Sequence, residues 1–142
     1  MKKAIKLFLY IILCFIPTVL SAQMLIVCAP EFADEMKPFI QWKTQKGMKV
    51  ELITMDKIGS TAAELKNYVA DYYKKNNNRY LLLVGDAEQI PVHFCYEITK
   101  PDPNTAYSDA EYGYISSDEY PPSVLVGRFS AKTTEDVRTQ VE

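Results

Sequence analysis

The stretch "IPVHFC" holds the only histidine of the chain, His93, two residues before Cys95. A thiolate beside an imidazole is the working pair of a cysteine hydrolase, in which sulfur attacks a carbonyl and the ring moves the proton. In an extended segment, residues two apart share a face, so the spacing allows the pair. The chemistry also needs an oxyanion hole, commonly backbone N–H groups at a tight turn. Val92, Phe94 and Tyr96 around the pair provide neither a glycine nor a turn. The expectation is a loop histidine beside a half-buried cysteine, not a catalytic dyad. Two side chains also fall short of a zinc site.

Asp86 is the second candidate. It follows the apolar run of "RYLLLVGD", so its carboxylate is expected where a strand ends. In open parallel sheets, ligands gather at that end. A phosphoacceptor role would need a set of carboxylates after the first strand, where Ala29-Pro30-Glu31 supplies only one. Two readings remain open: an aspartate capping a turn, or a ligand for Ca²⁺. Calcium takes about six to eight oxygens, mixing carboxylates with carbonyls. Asp86 would share the ion with Asp118, Glu119 and neighbouring carbonyls.

The elements that must position these groups follow from periodicity. "MLIVCA" is a continuous apolar run of strand length, as in a strand covered on both faces. In "EFADEMKPFIQWKTQKG" Phe32, Met36, Phe39, Ile40 and Lys43 fall at helical spacing, and Gly47 marks the stop. Pro38 is tolerated only in a first turn, so regular helix is expected from Glu35 or later. "MKVELIT" alternates as a strand does. "TAAELKNYVADYYKK" opens on the capping box Thr61-x-x-Glu64, with an apolar stripe of Ala62, Leu65, Val69 and Tyr72 or Tyr73. After "RYLLLVGD", the strand "SVLVGRFS" and a helix capped by Thr133-x-x-Asp136 complete the pattern.

Strand and helix in alternation predict an α/β fold, a parallel sheet flanked by helices. The connection over residues 87–123, rich in tyrosine and carboxylate, exceeds an ordinary loop and is expected to hold structure of its own.

With 142 residues, 48% of them hydrophobic, the chain can bury one core. Sixteen basic and eighteen acidic residues, spread along the sequence for a net charge of −2, give no footprint for nucleic acid or an anionic membrane. Residues 1–22 differ in kind. Lys2 and Lys3 precede a mostly apolar run over 5–20, and Ser21-Ala22 offers a cleavage point. The run is shorter than the ~20 residues of a spanning helix, which predicts a signal peptide over an anchor. The mature domain is then 23–142, secreted or at the cell surface, without a membrane segment. Cys14 leaves with the signal. Cys28 and Cys95 remain for a possible disulfide, with a buried unpaired Cys28 favoured by its apolar surroundings.

The chain from Gln23 to Glu142 resembles the gingipain-like cysteine peptidases. The likeness rests on "FIQWKTQKGMKVEL", "TAAELKNYVADYY", "RYLLLVGDAEQIP", "SDAEYGYISSDEY" and "VLVGRFSAKTTEDVRTQVE", in order. It implies the first of two caspase-like subdomains of a secreted endopeptidase. The histidine of a Gly-His-Gly stretch and the nucleophilic cysteine would belong to a second, catalytic subdomain absent from this chain. That subdomain and a peptide substrate are the partners implied. The resemblance also implies calcium between Asp86 and the loop carrying Asp118 and Glu119, although Ser123 and Pro121-Pro122 depart from the family's pattern there. Two other readings stand beside it: an exported, non-catalytic binding module, and half of a surface sortase.

Overall fold

The computed structural model describes residues 23–94, 107–116 and 120–142. Four parallel strands form its centre: β1 (Gln23–Cys28), β2 (Lys49–Thr54), β3 (Tyr80–Val84) and β6 (Leu125–Phe129), in the order β2-β1-β3-β6. The register aligns Met24 with Val50 and Tyr80, and Tyr80 with Leu125. β1 is central, and its residues from Met24 to Cys28 are all buried, as its unbroken apolar sequence predicts.

Helices α1 (Lys37–Gln45), α2 (Ala62–Asn76) and α3 (Thr134–Val141) link or follow the strands. α1 begins at Lys37 with Pro38 in its first turn, where the missing N–H costs nothing. A 3₁₀ turn over Pro30–Phe32 precedes it, so the acidic stretch that reads as helix is a bridge into one. Gly47, at φ +83°, ends that unit. α2 and α3 carry both expected capping boxes, Thr61 with Glu64 and Thr133 with Asp136.

The two sheet faces have separate cores. Leu25, Val27, Leu81 and Leu83 pack with Leu65, Val69 and Tyr72 of α2. Met24, Ile26, Cys28 and Val84 pack with Phe32, Met36 and Val137, flanked by Phe39 and Ile40 of α1. The α/β expectation therefore holds as a three-layer sandwich.

The long connection does contain structure. β4 (His93–Phe94) and β5 (Tyr107–Ser108) pair antiparallel, and a 3₁₀ turn spans Asp109–Gly113. Tyr112 of that turn is wholly buried beneath the α2 face and donates its hydroxyl to the carbonyl of Pro91 at 2.6 Å.

Candidate functional site

The carboxyl ends of β1, β3 and β6 converge on a polar cluster. β3 ends at Val84, and Gly85 turns the chain with φ +138°. A Cβ at Gly85 would meet Ile90 at 3.1 Å, Gln89 at 3.3 Å and Ala29 at 3.5 Å, and that positive φ favours glycine. Asp86 follows, as its sequence position predicts.

The Asp86 carboxylate meets a hydroxyl at one oxygen and an ammonium at the other. Its Oδ1 accepts from the Ser130 hydroxyl at 3.4 Å, and its Oδ2 lies 3.4 Å from the Lys132 ammonium. The Ala87 N–H holds its carboxyl below the usual range; lost solvation, the next-largest effect, opposes it, and Lys132 and Ser130 add to the lowering. The backbone N–H of Asp86 donates to Gln89 Oε1 at 2.8 Å, and Gln89 Nε2 donates to Glu31 at 3.3 Å. The turn after β3 is thereby tied to the segment after β1.

Beneath this cluster lies Arg128. Its guanidinium donates twice to Asp109, at 2.7 Å from both Nε and Nη2. Its Nη1 donates to the carbonyls of Gly85 and Ile90 at 2.9 and 3.1 Å. One side chain thus fastens β6 to the turn after β3 and to the Asp109–Gly113 turn. Lys66 of α2 reaches the carbonyls of Glu111 and Tyr114 from the other side.

His93 sits in β4 with its ring edge-on to Tyr112, centroids 5.8 Å apart. Cys95, Asp118 and Glu119 lie outside the described residues, so neither the dyad nor the shared calcium site has a described geometry. Among the described residues no three His, Cys, Asp or Glu side chains cluster as metal ligands. The part of the calcium set that is described is one carboxylate oxygen pair facing a hydroxyl and an ammonium. That environment already places a positive charge against Asp86.

Cys28 is a buried free thiol that donates to the Ala29 carbonyl at 3.2 Å. Burial, with the nearby Glu31 charge second, pushes its pKa up to about 12. A thiol so protonated is no nucleophile at neutral pH.

The profile of peptidase family C25 matches residues 18–142, nearly the whole chain. The chain belongs to peptidase family C25. Gingipain R2 of Porphyromonas gingivalis is 32% identical over 126 residues, covering 86% of this chain and 16% of that protein. Lys-gingipain of the same organism is 27% identical over 130 residues, covering 84% of this chain and 7% of that protein. Among solved structures, a complex of the RgpB pro- and mature domains superposes with a TM-score of 0.72 at 31% identity, covering 84% of this chain and 27% of that one. A second protease structure gives a TM-score of 0.75 at 24% identity, a likeness of fold. This C25 chain therefore spans a small fraction of the length of its relatives.

Within a C25 domain, the residues that sequence reasoning overlooked are Arg128, Asp109, Gln89 and Lys132. Only Arg128 left a signal, a charged residue inside the otherwise apolar "VLVGRF".

Proposed function

We propose that this chain is the amino-terminal α/β portion of an exported gingipain-like cysteine endopeptidase, supporting a catalytic subdomain that supplies both the histidine and the cysteine. The observation that carries the reading is the C25 match over residues 18–142 on a fold whose one described cysteine is buried and protonated. In the intact protein a thiolate would attack the peptide carbonyl, with an imidazole as acid and base. This portion would hold the strand ends and the long connection rigid through Arg128. Residues 1–22 act as the export signal in this reading, and the product is secreted or held at the cell surface.

Calcium belongs to the same proposal. Asp86, with Asp118 and Glu119, would hold Ca²⁺, which would cross-link the end of β3 to the loop before β6. The anionic Asp86 at that strand end supports the reading, and the Lys132 ammonium beside it is the cation that calcium would displace.

The test is to recover the natural protein and determine its length, its amino terminus and the residue taken by an electrophilic thiol probe. The expected product starts at Gln23, continues past Glu142, and carries the label on a cysteine beyond that residue. Rapid labelling of Cys95 that disappears in His93→Ala would overturn the assignment. A product ending at Glu142 with no reactive thiol would overturn it in favour of a binding module.

A further inference from the structure

The central strand β1 begins at Gln23, the residue with which the mature chain starts once residues 1–22 are removed. Gln23 pairs with Lys49 of β2. The register that sets Met24 beside Tyr80 sets Gln23 beside Arg79, whose N–H donates to the Gln23 carbonyl at 3.0 Å. Neighbouring strands lie about 5 Å apart, so a basic residue flanks Gln23 at that spacing on each side. Side chains alternate along a strand, and Leu25, Ile53 and Leu81 all pack on the α2 side. Gln23, Lys49 and Arg79 therefore share that side of the sheet.

Lys49 and Arg79 are exposed, and among the described residues neither has an ion-pair partner. The nearby carboxylates are engaged elsewhere: Glu51 accepts from the Tyr72 hydroxyl at 2.8 Å, and Asp71 lies 3.6 Å from the Lys74 ammonium. The Gln23 carboxamide is unattached as well. Its Oε1 is buried without a donor, and among the described residues no hydrogen bond ties the group down. An acceptor in that position is a cost to the fold, with nothing to hold its side chain extended.

Within a longer chain such a glutamine is inert, because its backbone nitrogen is an amide. Removal of the signal turns that nitrogen into an amine within ring-closing reach of Cδ. An α-ammonium ordinarily titrates near about 7.7–8.0. Two cations on the flanking strands disfavour its charged form, so more of it is free amine at neutral pH. Closing the ring also removes a third positive charge from between two others.

We propose that Gln23 is a modification site: once released, its α-amine attacks Cδ of its own carboxamide and closes a neutral five-membered lactam, a step promoted by Lys49 and Arg79. The new N–Cδ bond replaces the Cδ–Nε2 bond, one amine proton passes to Nε2, and ammonia leaves. No oxidant or further reactant enters. The Gln23 carbonyl is kept, so the Arg79 bond at the start of β1 survives, and the sealed end offers no ammonium to an aminopeptidase. The inference rests on the export reading, with cleavage before Gln23, and on no part of the catalytic one.

The exported protein would be recovered and its amino-terminal peptide weighed. The expected peptide starts at Gln23, is lighter by one ammonia, and loses that residue to pyroglutamyl peptidase, leaving Met24 first. A peptide that starts at Gln23 with a free amine overturns the proposal and leaves the cleavage point standing. Any other start overturns both. The flanking cations are tested on chain freshly released by signal peptidase and followed by mass. K49Q/R79Q, which alters two exposed side chains, should close about twofold more slowly at about pH 7, where an amine of ordinary pKa is mostly protonated. At about pH 10 it should match the parent, because both amines are then free. Equal rates at the lower pH would overturn the part given to Lys49 and Arg79.

Discussion

Arg128 and Asp109, nineteen residues apart, meet through two parallel bonds of 2.7 Å, with side chains only 12% and 25% exposed. Paired N–H···O⁻ bonds fix angle as well as distance, which an ammonium cannot do. The remaining guanidinium nitrogen donates to Gly85 and Ile90, so four of the five N–H groups of Arg128 are engaged in holding the three segments together.

Removing that guanidinium leaves a partly buried carboxylate and two carbonyls without their donor. Arg128→Met should cost about 2–4 kcal/mol in urea unfolding, below the range for a fully buried pair because Asp109 retains some solvent. Arg128→Lys should fall between that variant and the parent, since it restores charge but not the fork. A change within about 0.5 kcal/mol in Arg128→Met, the ordinary range for a surface substitution, would show that the clamp is ornamental.

Two glycines test the packing of the Asp109–Gly113 turn against β6. A Cβ on Gly113 would lie 2.3 Å from the Val124 carbonyl, a backbone atom that accepts no displacement without moving the strand. A Cβ on Gly127, two residues into β6, would meet nothing within 4 Å. Gly113→Ala should therefore destabilise by about 1–3 kcal/mol or more. Gly127→Ala should be neutral or slightly stabilising by thermal melt, through the smaller entropy of its unfolded chain.

Local rules made much of this fold legible. Thr61 and Thr133 each stand three residues before a carboxylate, and both form the box that the spacing predicts. The run Tyr80–Val84 placed Asp86 at a strand end because period and length leave a short apolar segment little alternative. The partner of Arg128 was not legible, because Asp109 reaches it through a turn inside a long irregular connection that no periodicity describes. The clustering of basic side chains where the strands begin was hidden for a related reason. Lys49 and Arg79 are far apart along the chain and come to flank Gln23 only once β1 lies between β2 and β3.

The caps give the domain a definite acid response. Glu64 accepts from the Ser60 N–H, then from the Thr61 hydroxyl and N–H, and its pKa is held below the ordinary 4.5. Asp136 is lowered from 3.8 in the same way, by the Lys132 N–H first and then by Thr133. A carboxyl with a depressed folded pKa binds fewer protons folded than unfolded, so stability rises with pH across that interval. Stability should be flat above about pH 5 and fall as pH drops through about 4.5 and below. Thr61→Ala should cost about 1 kcal/mol at neutral pH and flatten part of the acid limb, read from urea midpoints between about pH 2 and 7. An unchanged acid limb would remove Glu64 from this account.

Calcium makes a prediction that separates Asp86 the turn-former from Asp86 the ligand. As a turn-former it needs its Ala87 contact and the ammonium of Lys132, and added calcium changes nothing. As a ligand it gives calcium preferential affinity for the folded chain, which raises Tm with concentration, by about 2.7 kcal/mol of stability at a hundredfold excess over Kd. The full chain should melt higher in millimolar calcium than in chelator, Asp86→Ala should lose the difference, and Lys132→Met should enlarge it by removing the competing cation. Magnesium should be the weaker partner, because it prefers a tighter octahedral shell than carboxylates and carbonyls on two separate segments can form. If the parent chain shows no calcium shift, Asp86 is a structural residue and the ion has no place in this domain.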